Sequence, residues 1–96
     1  MITIRVQTIT KYAMFEQDGI RLREAICDAL QKEAEVQLDF EGVEFFTTMF
    51  FNASIGWLFL SNGPLYIEEK IQIVNLTELG EITLKHSFEN AKKNKK

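Results

Sequence analysis

The 96-residue sequence predicts an α/β layer fold, with a three- to four-stranded, mainly parallel sheet and about three helices. Short stretches alternating apolar and polar residues begin near positions 2, 36 and 71. The segments between them have a helical stripe or are apolar over a helix length. Strands separated by ten or more helical residues are joined by crossovers and therefore run parallel.

The elements follow in order. Ile2, Ile4 and Val6 alternate with Thr3, Arg5 and Gln7, the period that buries one face of a strand. Residues 8–15 are open between a short second strand, with Tyr12, Met14 and Phe15, and a packed loop. Asp18 is the expected N-cap of a helix over 19–33, where Leu22, Ala25, Ile26, Ala29 and Leu30 form one stripe. Val36, Leu38 and Phe40 alternate with Gln37, Asp39 and Glu41 in a central strand. Val43, Phe45 and Phe46 then cross the end of the sheet, and Thr47 or Thr48 caps a helix over 48–61. From position 49 to 60 its only polar side chains are Asn52 and Ser54, so it has no polar face and needs cover on nearly every side. Ser61-Asn62-Gly63-Pro64 ends it, and residues 65–70 are expected to be a loop. Ile71, Ile73 and Val74 form the last strand, and Asn75 or Thr77 starts a helix over 76–92.

Composition narrows the function. The chain reads as a single domain, 1–96, whose residues 92–96 form a lysine-rich tail suited to the negative pole of a helix. All fourteen acidic residues precede Ala91, whereas Lys92, Lys93, Lys95 and Lys96 crowd the end. The remainder carries a formal charge of −7, a sign that disfavours nucleic acid. One cysteine, Cys27, excludes an internal disulfide and a cysteine-built zinc site; its apolar neighbours suggest a buried thiol. No signal-like apolar run opens the sequence, and no stretch is long enough to span a membrane. The expected location is the cytoplasm.

An enzyme needs convergent titratable groups. His86 is the only histidine, and no nucleophile or metal-ligand pair accompanies it at a telling spacing. There is no glycine-rich phosphate loop, so no catalytic residue, metal or cofactor is expected. The acidic residues between Glu33 and Glu44 read as a solvated rim.

Asp18-Gly19-Ile20-Arg21-Leu22-Arg23-Glu24-Ala25-Ile26, Leu38-Asp39-Phe40-Glu41-Gly42-Val43, then Phe50-Phe51-Asn52 and Gly56 resemble a STAS-like bacterial family of unknown function. That family is related to the STAS domains of anti-sigma-factor antagonists, and the resemblance covers residues 16–91. It implies a non-catalytic, regulatory protein-interaction domain, in some cases paired with a kinase-like ATPase; a co-expressed regulator is the other partner expected. In the antagonists an Asp-Ser-Ser-Gly motif follows the central strand, and its second serine is phosphorylated to release the partner. Thr47-Thr48-Met49-Phe50 lies over that motif here, so Met49 takes the acceptor position and Thr48 keeps a hydroxyl one position early. Ala53 and Trp57 stand where the family has an acidic and a polar residue.

The candidate interaction segment is therefore the loop and helix at 44–61. Asp39 is the candidate for ordering the loop, if it is not simply a side chain on the less covered sheet face. Thr47 and Thr48 are capping candidates, with Thr48 also a phosphorylation candidate. Trp57 suits a core position and an exposed anchor equally. Phe51, Ser54 and Leu58, with Trp57 and Ser61, can share one broad face of a continuous helix, and some of them are expected to face outward. Two alternatives stand beside docking to another protein: a homo-oligomeric scaffold, or homodimer, using the same helix, and a small nucleotide-binding domain.

Overall fold

Each strand is built from four residues of an alternating stretch, and the alternation decides where the core lies. The structure, a computed structural model, describes residues 1–94. Its order is β1 (Ile2–Arg5), a 3-10 turn (Val6–Thr8), α1 (Glu16–Lys32), β2 (Val36–Asp39), α2 (Thr48–Ala53), α3 (Ile55–Asn62), α4 (Pro64–Lys70), β3 (Ile71–Val74) and α5 (Glu78–Asn94). The strands form a parallel sheet in the order β1-β2-β3. Ile2, Val36 and Ile71 are level across the sheet, as are Ile4, Leu38 and Ile73. This row faces the helices, and Val36 and Leu38 are fully buried in it. Thr3, Gln37 and Gln72 share the opposite face, where the Thr3 hydroxyl donates to Gln37 Oε1 at 3.2 Å. Parallel sheets usually have both faces covered. The polar row explains why this one is covered on one side.

α1 begins three residues earlier than the stripe predicts, and Asp18 is not its cap. Phe15 holds the extended N-cap conformation, while Glu16 and Asp18 lie in the first turn, where negative charge suits the helix pole. The Asp18 carboxylate instead accepts from the Thr10 hydroxyl at 3.0 Å and lies 3.7 Å from the Arg21 guanidinium. Leu22, Ile26 and Ala29 are buried, whereas Cys27 is only half-buried. Residues 9–15 form no strand. A single parallel bridge joins Ala13 to Phe46.

The apolar stretch at 48–61 is two helices, not one. Ser54 leaves the helical conformation, with φ −111° and ψ −100°, and its hydroxyl donates to the Phe50 carbonyl at 2.9 Å. α2 packs on α1 and α5; α3 packs on α5 and α4. The change of direction lets successive apolar residues find different partners. Phe50, Phe51 and Ile55 are fully buried and Leu58 nearly so. Phe51 lies 5.7 Å from the Phe46 ring and 6.0 Å from Phe40, and Phe59 stacks on Phe88 of α5 at 4.6 Å.

Residues 65–70, expected as a loop, belong to α4. Pro64 occupies its first turn, where a missing N–H costs nothing, and Ile67 turns inward. The extra helix supplies cover that three helices could not. Before α5, the Thr77 hydroxyl accepts from the Gly80 N–H at 3.1 Å and caps the helix. Lys92 and Lys93 lie within α5; Lys95 and Lys96, the rest of the expected tail, lie outside the described residues.

Candidate docking groove

Two close helix contacts shape the surface above the core. A Cβ at Gly19 of α1 would overlap the Phe50 carbonyl and stand 2.8 Å from the Ala53 methyl group, so only glycine allows α1 and α2 this near. Gly56 does the same where α3 passes α5: a Cβ there would run into the Ser87 hydroxyl and the Phe51 carbonyl. Ser87, itself buried, donates to Asn52 Oδ1 at 2.6 Å and joins α5 to α2.

A groove of about 620 Å³ runs between α1 and the α2–α3 pair. Glu16, Ile20 and Arg23 form one wall, and Thr48, Met49, Asn52, Ala53 and Trp57 form the other. Trp57 is 44% exposed, and the Arg23 guanidinium sits 4.3 Å from its ring centroid. That stacking orients a large aromatic surface at modest entropic cost. Met49 is 55% exposed at the near end of the same wall. The groove therefore combines the apolar side chains of Ile20, Met49, Ala53 and Trp57 with one guanidinium, one carboxylate and two small polar side chains.

The loop into α2 is held by Thr47 and Asp39. The Thr47 hydroxyl accepts from the Phe50 N–H at 3.2 Å and donates to the Met14 carbonyl at 2.6 Å. Thr47 is the cap. Thr48 is the first helical residue and a half-buried part of the groove wall. The bridge is closed by Ala13 N–H to the Phe45 carbonyl at 3.1 Å and Thr47 N–H to the Ala13 carbonyl at 2.9 Å. At the other end of the loop, Asp39 Oδ1 accepts from Asn75 Nδ2 and from the Glu41 N–H, each at 2.9 Å. The Asn75 hydrogen bond, then the Glu41 backbone bond and the charge of Arg5, hold the Asp39 carboxyl below its ordinary value. Asp39 thus ties β2, the turn after it and the end of β3.

The expected outward face does not form as drawn. Phe51 and Ser54 are fully buried and Leu58 is 2% exposed, because the break at Ser54 moves these positions off a common side. They are core residues and, contrary to the expectation, form no part of an outward face. Trp57 and Ser61 are exposed. The expected interaction segment is 44–61, so the wall that Glu16, Ile20 and Arg23 of α1 contribute lies outside it. Two further aromatics, Tyr12 and Phe45, are exposed with their ring centroids 5.7 Å apart. For Tyr12 the one signal is the ambiguity of residues 8–15, a packed loop being free to show aromatic side chains. His86 is exposed on α5, away from these residues in sequence.

A family model described as "STAS-like domain of unknown function (DUF4325)" matches residues 18–81, two-thirds of the chain. The chain belongs to this STAS-like family. The matched span is narrower than the 16–91 that the motifs suggest, and it runs from the third residue of α1 to the first turn of α5. No curated protein and no solved structure matches the chain. Both walls of the groove lie within the STAS-like match except Glu16, which precedes it. Among the described residues of this STAS-like domain, no helix is long and apolar enough to cross a membrane. No group of three histidine, cysteine or acidic side chains is placed to hold a metal ion among them either.

Proposed function

We propose that this STAS-like domain is a non-catalytic regulatory module that docks another cytoplasmic protein through the groove between α1 and α2–α3. The observation that carries this reading is Trp57, an exposed tryptophan stacked against Arg23 in a groove that also displays Met49. Tryptophan and arginine are the side chains most enriched at the energetic centres of protein interfaces. The buried aromatic cluster beneath keeps the two helices in place, so the groove is preformed rather than assembled on contact. Within this reading Thr48 offers the one hydroxyl on the groove wall, and a phosphate there would add charge where a partner seats. The partner classes that follow from the family likeness are a kinase-like ATPase and a co-expressed regulator. Self-association through the same helix is the weaker reading, because Phe51, Ser54 and Leu58 are not available to it.

Affinity capture from the native cell with wild-type and Trp57→Glu proteins tests the proposal. The expected outcome is a protein retained by the wild type and lost from Trp57→Glu, with circular dichroism and melting temperature nearly unchanged. Equal retention by both proteins would rule out the groove as the docking face.

A further inference from the structure

The two edges of the sheet are built differently. β1 and β3 are the outer strands. An edge strand presents unpaired N–H and C=O groups, and proteins commonly blunt it with charge, proline or a bulge. β1 carries charge at both ends: Arg5 is exposed, and the Met1 ammonium is paired with Glu33 at 2.8 Å. β3 reads Ile71-Gln72-Ile73-Val74, and no residue from 71 to 77 is charged or proline.

The ladder shows which groups of β3 point outward. The Phe40 N–H donates to the Val74 carbonyl at 3.0 Å, and Val74 is level with Asp39. In a parallel pair, a residue so placed turns both backbone groups to its neighbour, and the next residue turns both away. Ile73 therefore directs its N–H and C=O to the open edge, where no backbone group among the described residues meets them. Ile71 contributes only its carbonyl, because its N–H donates to Ile67 at the end of α4.

We propose that the β3 edge pairs with the β3 edge of a second copy of this chain, antiparallel about a two-fold axis at Ile73. With Ile73 opposite Ile73, each N–H meets the other C=O, and both outward groups are satisfied at once. Residues directly opposite share a face, so the core-facing row runs from Ile4 through Leu38 and Ile73 into the second sheet. On the other face Gln72 lies opposite Val74. A second copy fits better than a charged partner strand because the edge is self-complementary and neutral. Two bodies that each carry a formal −7 outside the tail meet where neither contributes a like charge. This contact is separate from the groove, so Trp57→Glu leaves it intact and the two readings fail independently.

Sedimentation over a range of concentrations, with amide hydrogen exchange, tests the pairing on the intact chain. The expected result is a species of twice the monomer mass, in which the Ile73 amide exchanges at least about tenfold more slowly than in the dilute monomer. Ile73→Pro removes the outward donor and breaks no bond within the sheet, so it yields a monomer; Ile73→Val keeps the donor and still dimerises. Should the proline variant not fold, Gln72→Lys combined with Val74→Lys sets lysines opposite lysines across the axis and produces the monomer instead. A chain that stays monomeric at every concentration overturns the proposal. So does a dimer that survives both the proline and the double-lysine substitutions.

Discussion

α1 buries one stripe and shows charged and polar residues on its other sides, whereas α2 and α3 bury residues on nearly every side of two short pieces. Both border the groove, but they reach it by different physics. In α1 one uninterrupted helix presents Gly19, Leu22, Ile26 and Ala29 to the interior. In the α2–α3 stretch the axis itself turns at Ser54, and burial follows the turn rather than a fixed period. Of the aromatic side chains in α2 and α3, Trp57 alone is left at the surface, because it falls on the side of α3 that faces Arg23. An apolar run is thus divided between core and groove by where its helix breaks.

Truncation inside and outside that division gives the largest contrast. Phe51→Ala removes a fully buried ring packed against Phe40, Phe46 and Phe50, and is expected to cost about 3–5 kcal/mol. Leu60→Ala, three residues beyond Trp57 and 39% exposed, is expected to cost less than about 1.5 kcal/mol. Denaturant melts of both variants check the difference. Similar losses would show that the break at Ser54 does not separate inside from outside.

Gly19→Ala probes the α1 side. Alanine is the better helix former, yet its methyl group meets a backbone carbonyl that cannot rotate away. The expected loss is about 1–3 kcal/mol, again from denaturant melts. A gain in stability would show that α1 and α2 can separate at little cost, and that the groove between them is not held rigid by this contact.

The same contrast governs what could be read from the sequence. The strands were legible because Ile2/Ile4, Val36/Leu38 and Ile71/Ile73 alternate with polar residues, and a one-sided sheet writes that alternation directly. The stripe of α1 was legible for the corresponding reason. Phe51, Ser54 and Leu58 were not, since a run without polar residues carries no phase from which to infer the buried side. Ser54 was the one visible clue. Its hydroxyl bonding back to Phe50 accompanies the break, but serine inside a helix commonly makes that bond without interrupting it. α4 was hidden by Asn62-Gly63-Pro64, whose turn chemistry ended one helix while its proline opened the next. The groove was half legible: Trp57 and Thr48 stood out by residue type, whereas Arg23 and Ile20 acquire meaning only from the helix opposite.

Thr47 and Thr48 sharpen the comparison at the entrance to α2. Thr47→Ala loses a cap and the bond to Met14, for an expected cost of about 0.5–2 kcal/mol. Thr48→Ala is expected to change stability by no more than about 0.5 kcal/mol. Reversed magnitudes in denaturant melts would mean that Thr48 carries the cap.

The smallest expected effect lies at the far end of the same loop and is a dependence on pH. Asp39 is held below its ordinary value of 3.8 by Asn75, by the Glu41 N–H and by Arg5. A carboxyl whose folded value is depressed contributes stability that is present above its unfolded value and lost as pH falls through the folded one. Wild-type protein should therefore lose melting temperature on acidification below about pH 4. Glu33, whose carboxyl is lowered by its bond to the Met1 ammonium, contributes in the same direction. The informative quantity is the difference between wild type and Asp39→Asn, since Glu33 acts equally in both. Asparagine can still accept the Glu41 N–H, so the turn after β2 should survive at neutral pH with only a slight drop in melting temperature. The gap between the two proteins should then close as the pH falls below 3.8 and the aspartate is protonated. A gap that stays constant across this range would show that the charge of Asp39 is irrelevant, leaving only its hydrogen-bond geometry to order the loop.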